Sequence, residues 1–144
     1  MDDERLYATF CVDGDHFGVD ALDVQEVLRH QPMTEVPLAP PDVRGLLNLR
    51  GQVVVALDLR RRLGRPPRDD GEPPMNVVVR TQHGPVSFLV DEIGDVLEVR
   101  ADELEAPPET VAAPGRELLV GIHPLEDRLL LVLDVERTAA LDAA

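Results

Sequence analysis

Apolar residues recur along this chain in short runs, each closed by glycine, proline or an acidic turn. Leu6 to Val12 reads as a strand, Asp13-Gly14-Asp15 as a turn, and His16 to Val19 as the returning strand. In the next segment, DALDVQEVLRH, apolar Ala21, Val24, Val27 and Leu28 stand three and four residues apart. That spacing predicts a short amphipathic helix capped by Asp20 and ended at Gln31-Pro32. Prolines 37, 40 and 41 enforce an extended loop. Val43 to Leu49 and Gln52 to Leu57 form a strand pair turning at Arg50-Gly51, and the unbroken apolar run from Val53 to Leu57 predicts burial on both faces.

Leu59 to Leu63 fits one helical turn stopped by Gly64. Residues 65–74, RPPRDDGEPP, are too polar and proline-rich to pack and read as an exposed linker. Strands follow at Asn76 to Arg80, Val86 to Val90 and Ile93 to Val99, and residues 101–116 read as loop. A strand pair at Glu117 to His123 and Arg128 to Leu133 leads to Asp134, which can cap a helix running through Leu141. Eight to ten short strands with two or three short helices predict a mainly β fold, as small barrels or a sandwich.

The pattern also repeats. Gly45-Leu46 through Leu57-Asp58-Leu59 overlays Gly121-Ile122 through Leu133-Asp134-Val135 without a gap, at an offset of 76 residues. A second echo sets Val19-Asp20 with Val27-Leu28 against Val90-Asp91 with Val96-Leu97. Two structurally similar halves packed together are expected, with a groove at their seam where a partner can bind. The repeat fails at its tips: Asn48-Leu49-Arg50-Gly51 has no counterpart in His-Pro-Leu-Glu-Asp, and Leu49 and Arg50 exceed what a turn requires.

Composition narrows the function. The 144 residues fit one domain with a genuine core, spanning residues 1–144. Net charge is −14, with 28 acidic residues against 14 arginines, which argues against a nucleic-acid partner. Seven of those arginines lie within residues 44–68 beside a single acid, Asp58. This basic stretch is either a solvated face or a patch that docks an acidic partner. The lone cysteine, Cys11, sits in an apolar run and reads as an inert thiol in a reducing compartment. No apolar run reaches the length of a membrane span, and MDDERLY lacks the parts of a signal peptide, so a cytoplasmic protein is expected.

Candidate chemistry is sparse. Ser87, the only serine, is mid-strand and lacks a nucleophile elbow. Histidines 16, 30, 83 and 123 show no metal-ligand spacing, and the chain has no lysine for a phosphate-binding loop. Asp58 and Asp134 each end an apolar run. Capping is the expected role, with a salt bridge from Asp58 to Arg50 or Arg60 also open; an acid–base role for Asp58 is the enzymatic alternative.

Four stretches, FGVDALDVQEV (17–27), GLLNLRGQVVVALDLRRRLG (45–64), LVDEIGDVLEV (89–99) and LLLVLDVERTAAL (129–141), occur in an order that resembles the CheW family across almost the whole chain. The resemblance implies a fold of two five-stranded SH3-like barrels and a non-enzymatic adaptor with no cofactor or metal. It implies as partners the chemoreceptor tip, the regulatory domain of a CheA-type histidine kinase and, in rings, other CheW-like domains. Such an adaptor inserts in no membrane itself and reaches the receptor arrays through its partners. Carried over by position, the receptor-facing set is Val24, Gly45, Asn48, Leu49, Arg50 and Val96. The kinase-facing set is Gln25, Glu26 and Val27 on the predicted first helix, with Gly51, Asp58 and Arg60 as support. Val55 stands where members often have proline, and the linker before Asn76 is unusually charged. An adaptor of the same fold serving a non-chemotaxis pathway is the nearest alternative.

Overall fold

The computed structural model describes residues 4–69, 71–108 and 115–140. Ten strands form two five-stranded sheets. The strands are β1 (Glu4–Val12), β2 (Asp15–Asp20), β3 (Val24–Leu28), β4 (Val43–Leu49), β5 (Gln52–Asp58), β6 (Met75–Thr81), β7 (Gly84–Val90), β8 (Glu92–Arg100), β9 (Leu119–Pro124) and β10 (Leu129–Leu133). The described residues also include three single-turn α-helices, α1 (Leu59–Arg62), α2 (Gly115–Leu118) and α3 (Val135–Ala139).

One sheet has the order β8-β1-β2-β10-β9 and the other β3-β6-β7-β5-β4. The second is built from a contiguous stretch. The first joins the N-terminal hairpin β1–β2 to the C-terminal strands, with β2 parallel to β10. The parallel pair of the second sheet is β5 with β7. The halves are therefore interlocked: each strand of one sheet has a counterpart in the other, with the same neighbours in the same sense.

The 76-residue repeat is a structural one down to its irregularities. Val43 pairs with Leu57 and Gly45 with Ala56, leaving Arg44 as an extra residue in a bulge. At the repeat offset, Leu119 pairs with Leu133 and Gly121 with Val132, leaving Val120 extra. Thr34 bridges to Leu46 and Glu105 to Ile122. Both glycines are required by these bridges, since a Cβ on Gly45 would come within 2.7 Å of the Thr34 carbonyl oxygen and one on Gly121 within 2.9 Å of that of Glu105.

Alternation along the strands divides the apolar residues among three cores. Val77, Val79, Phe88, Val90 and Leu57 join Phe10, Val12, Phe17 and Val19 in a core shared by both sheets. Their neighbours Val78, Leu89 and Ala56 join Leu47 and Val54 in a core private to the second sheet. Tyr7, Val99, Leu130 and Val132 form the private core of the first. Strands buried on both faces follow, and their runs carry almost no polar residue.

Several expectations are corrected. The predicted helix from Asp20 is only a 3-10 turn, Ala21–Asp23; Asp20 caps it by accepting from the Leu22 N–H at 2.9 Å. Val24 to Leu28 then pairs with β6 from Val79 to Asn76, so Gln25, Glu26 and Val27 lie on a strand. Ladder hydrogen bonds and β-branched valines outweigh the helical spacing. Val53 is 62% exposed, so the run Val53 to Leu57 is not buried throughout. Glu117 and Leu118 belong to α2, and β9 starts at Leu119. The segment read as loop after Arg100 contains a 3-10 turn at Ala101–Glu103 and the Glu105 bridge, while residues 109–114 and Leu141 lie outside the described residues. Asp134 does cap α3, accepting from the Arg137 N–H at 3.0 Å.

Candidate functional site

The β4–β5 hairpin closes in two residues, Arg50 at φ 52° and Gly51 at φ 83°. Both are left-handed, the signature of a type I′ turn, whose twist matches the flanking strands. Gly51 takes this conformation without strain, but Arg50 does not. The Asn48 side chain steadies the turn by accepting from the Gly51 N–H at 3.1 Å.

Arg50 reaches across to β3. Its Nη1 donates to Glu26 Oε2 at 2.6 Å and its Nη2 to Oε1 at 2.9 Å, a two-pronged fork of the kind guanidinium and carboxylate favour. The pair is lopsided: the Glu26 side chain keeps 15% of its exposure and that of Arg50 keeps 76%. The Arg50 hydrogen bonds hold the Glu26 carboxyl below the usual carboxylate range. The site thus presents an arginine whose orientation is fixed from below and whose outer surface is open.

Around this pair the sequence-predicted residues are placed as follows. Val27 and Val96 are exposed, Asn48 is exposed, and Val24, Gln25 and Leu49 are half-buried. Gly45 is buried under Thr34, so it shapes the surface and cannot itself present one. Val96 is on β8 of the other sheet, opposite Ala8. The receptor set and the kinase set are not two separate patches, because Arg50 of one is bonded to Glu26 of the other.

The basic stretch is mostly occupied inside the molecule. Arg60 Nε donates to Asp91 Oδ1 at 2.9 Å and its Nη2 to Oδ2 at 2.7 Å; Arg68 Nε donates to Asp91 Oδ1 at 3.0 Å. Arg65 lies 2.7 Å from Asp15 and 3.5 Å from Asp13, with its guanidinium over the Phe17 ring. Arg62 donates to the carbonyls of Arg137, Thr138 and Ala140 and so closes the end of α3. Residues 65–69 are therefore a strap across the seam, and the expectation of an unpacked linker fails at Arg68, whose side chain is only 9% exposed. Among the described residues, Arg44 and Arg61 are the exposed arginines of the stretch with no side-chain partner besides Arg50's fork. The signal for the strap was missed because its acids lie far away in sequence, at Asp13, Asp15 and Asp91.

Burial alone would raise the Asp91 carboxyl. Arg60, the Asp13 N–H at 2.7 Å and Arg68 outweigh it and hold the carboxyl below its ordinary range. Asp58 is buried, accepts from the Arg60 N–H at 3.1 Å and lies 3.6 Å from Arg68; it caps α1 and bonds to neither the Arg50 nor the Arg60 guanidinium. Ser87 is buried and donates to Asn76 Oδ1 at 2.8 Å. Among the described residues, no three His, Cys, Asp or Glu side chains converge as a metal site, and no helix is long and apolar enough to cross a membrane.

Residues 6–142 match the family described as the CheW-like domain. The chain is 32% identical over 133 residues to the chemotaxis protein CheW of Bacillus subtilis (strain 168), covering 92% of this chain and 84% of that one. Against the chemotaxis protein CheW of Klebsiella aerogenes it is 28% identical over 131 residues, covering 91% and 79%. Its fold is similar to the crystal structure of scaffolding protein TtCheW from Thermoanaerobacter tengcongensis, with a TM-score of 0.86 at 22% identity, covering 97% of this chain and 90% of that one.

Proposed function

The chain belongs to the CheW-like family, and on that premise we propose that it is a non-enzymatic cytoplasmic scaffold joining a chemoreceptor tip to a CheA-type histidine kinase. The observation that carries this reading is the Arg50–Glu26 fork on a tight hairpin tip. A left-handed arginine costs conformational energy of about 1 kcal/mol, which a turn built only for folding avoids with Asn, Asp or Gly. Its guanidinium stays largely open, with exposed Val27 and half-buried Leu49 nearby on the bonded strands.

In this reading Arg50, Asn48, Leu49, Val24 and Val96 contact the receptor, and Gly45 sets the depth of that surface. Gln25, Glu26 and Val27 on β3 contact the kinase, while Gly51, Asp58 and Arg60 hold the frame. Because Arg50 and Glu26 share one ion pair, a receptor carboxylate or carbonyl that draws on Arg50 changes the charge Glu26 offers the kinase. That shared pair gives the coupling between the two contacts a physical carrier.

The test measures binding of the purified chain to a receptor cytoplasmic hairpin and to the regulatory domain of a CheA-type kinase. The chain binds both, and Arg50→Ala weakens receptor binding at least about tenfold, or about 1.4 kcal/mol, while the melting temperature moves by less than about 2 °C. Unchanged receptor binding overturns the assignment, and so does a large loss of stability, which makes Arg50 structural.

A further inference from the structure

The internal repeat places two corners in correspondence, one crossed by a strap and one left as a groove by the described residues. At the α1 corner, Leu57, Asp58, Leu59 and Arg60 stand where the α3 corner has Leu133, Asp134, Val135 and Glu136. Each corner also receives an acid at the end of the strand lying parallel to its capped strand: Asp91 follows β7, and Asp20 ends β2 with Asp23 close behind. At the α1 corner those acids are answered. Arg60 and Arg68 hold Asp91, Arg68 lies 3.6 Å from Asp58, and the segment Arg65-Pro66-Pro67-Arg68 crosses the corner.

At the α3 corner the arginine of the closed corner is replaced by Glu136, and no strap crosses it among the described residues. A groove of about 550 Å³ opens there. Its floor is apolar, from Tyr7, Leu104, Val120, Val132 and Val135, and its rim carries Asp20, Asp23, Asp134 and Glu136 with Arg5 as the only base. Asp20, Asp134 and Glu136 already accept backbone N–H groups, from Leu22, Arg137 and Gln82. Arg5 pairs with Asp20 at 3.4 Å. Asp23 has no hydrogen-bond or ion-pair partner among the described residues. Burial, then Asp20, Glu136 and Asp134, raise its carboxyl, and Arg80, whose guanidinium donates to the carbonyls of Leu22 and Val24 on either side of it, only partly opposes them. The bulge beside the groove leaves Val120 without a partner on β10, and the residue is 53% exposed.

We propose that the groove between Asp23, Val120 and Glu136 binds an arginine-bearing extended segment of a partner protein, seated as the Arg65–Arg68 strap is seated at the α1 corner. Two features select this occupant. The molecule shows, at the corresponding carboxylates, that a guanidinium on a proline-stiffened segment is what neutralises such a corner. The rim, four carboxylates against Arg5 and the nearby Arg80, repels an acidic occupant, and the apolar floor accepts the stem of an arginine side chain. None of the groove's lining residues belongs to the set assigned around Arg50, so substitutions can test the two proposals independently.

The probe is a ten-residue peptide carrying Arg-Pro-Pro-Arg between glycine and serine flanks, titrated into the full chain and followed by amide NMR shifts. The expected result is saturable binding with shifts at Tyr7, Asp23 and Val120. A lysine version should bind about tenfold more weakly, since it cannot form the planar fork. Asp23→Arg abolishes binding with the fold intact by circular dichroism, whereas Arg50→Ala and the distant reversal Glu126→Arg leave it unchanged. No saturable binding overturns the proposal, as does equal loss from Glu126→Arg, which means net charge alone attracts the peptide. Self-association of the chain that Asp23→Arg removes also overturns it, by assigning the groove to a second copy.

Discussion

Two hairpins of this molecule turn with the same backbone and different intentions. Asp13-Gly14 has φ 51° and 81°, and Arg50-Gly51 has φ 52° and 83°. Asp is a residue such a turn tolerates, and arginine is not. The Asp13 turn is tied inward: its N–H donates to Asp91, and its carboxylate faces Arg60 and Arg65. The Arg50 turn is steadied within its own hairpin by Asn48, tied to the rest of the molecule through Glu26, and faces outward. Equal geometry with unequal residue choice separates a turn that holds the fold from one that displays a side chain.

The largest effect comes from cutting the inward ties. Asp91→Ala leaves Arg60 and Arg68 half-buried without their carboxylate and removes the acceptor of the Asp13 N–H. The loss should be about 2 kcal/mol, between that of a surface pair and that of a broken buried one, and a urea melt reads it. The same group sets a pH dependence. Its folded-state pKa is depressed, so its stabilisation is present above the ordinary carboxylate value of about 3.9 and is lost as pH falls below that value through the folded one. Asp91→Asn should flatten stability against pH in that acidic window; an unaltered slope would show that the Asp13 turn is not held this way.

Gly51→Ala tests the shared backbone. With φ at 83° and no atom within 4 Å of the added Cβ, the strain is conformational alone. A loss of about 1 kcal/mol is expected, and Gly14→Ala, also in open space, should match it. Clearly different losses from the two would end the claim of equal geometry. The smallest effect sharpens the contrast most. Arg50→Asn relieves the left-handed arginine, so stability holds or rises by less than about 0.5 kcal/mol, while receptor binding falls as for Arg50→Ala. A marked destabilisation would place Arg50 with Asp13 as a folding residue.

Strand pairs were legible in the sequence wherever apolar runs flank a glycine turn, as at Gly51 and Gly14. The offset of 76 residues was legible because both copies keep the same glycine and the same capping aspartate. β3 was not, because Asp20 caps a real turn and Val24, Val27 and Leu28 satisfy a helical spacing as well as a strand; only β6 decides between them. The second partner of β1 was hidden because it is distant: β8 lies more than half the chain away. The resemblance pointed to Arg50 and Glu26 separately, and the bond between them is a contact over 24 residues that no local pattern encodes. The strap failed to show because proline and charge usually mark solvent-exposed chain, whereas here they carry Arg68 to Asp91.

The interlocked strand order also imposes a timetable. During synthesis the sheet of β3 to β7 is complete once Val90 has emerged, but β1 must wait for β8 and β2 for β10, which ends at Leu133. At roughly 5–20 residues per second that wait lasts some seconds. Throughout it the sheet that carries Phe10 and Phe17, later sealed in the shared core, is incomplete. The arrangement that binds the two sheets into one body thus makes the earliest residues synthesised among the last to be buried, and the nascent N-terminal hairpin is where a chaperone has the most to hold.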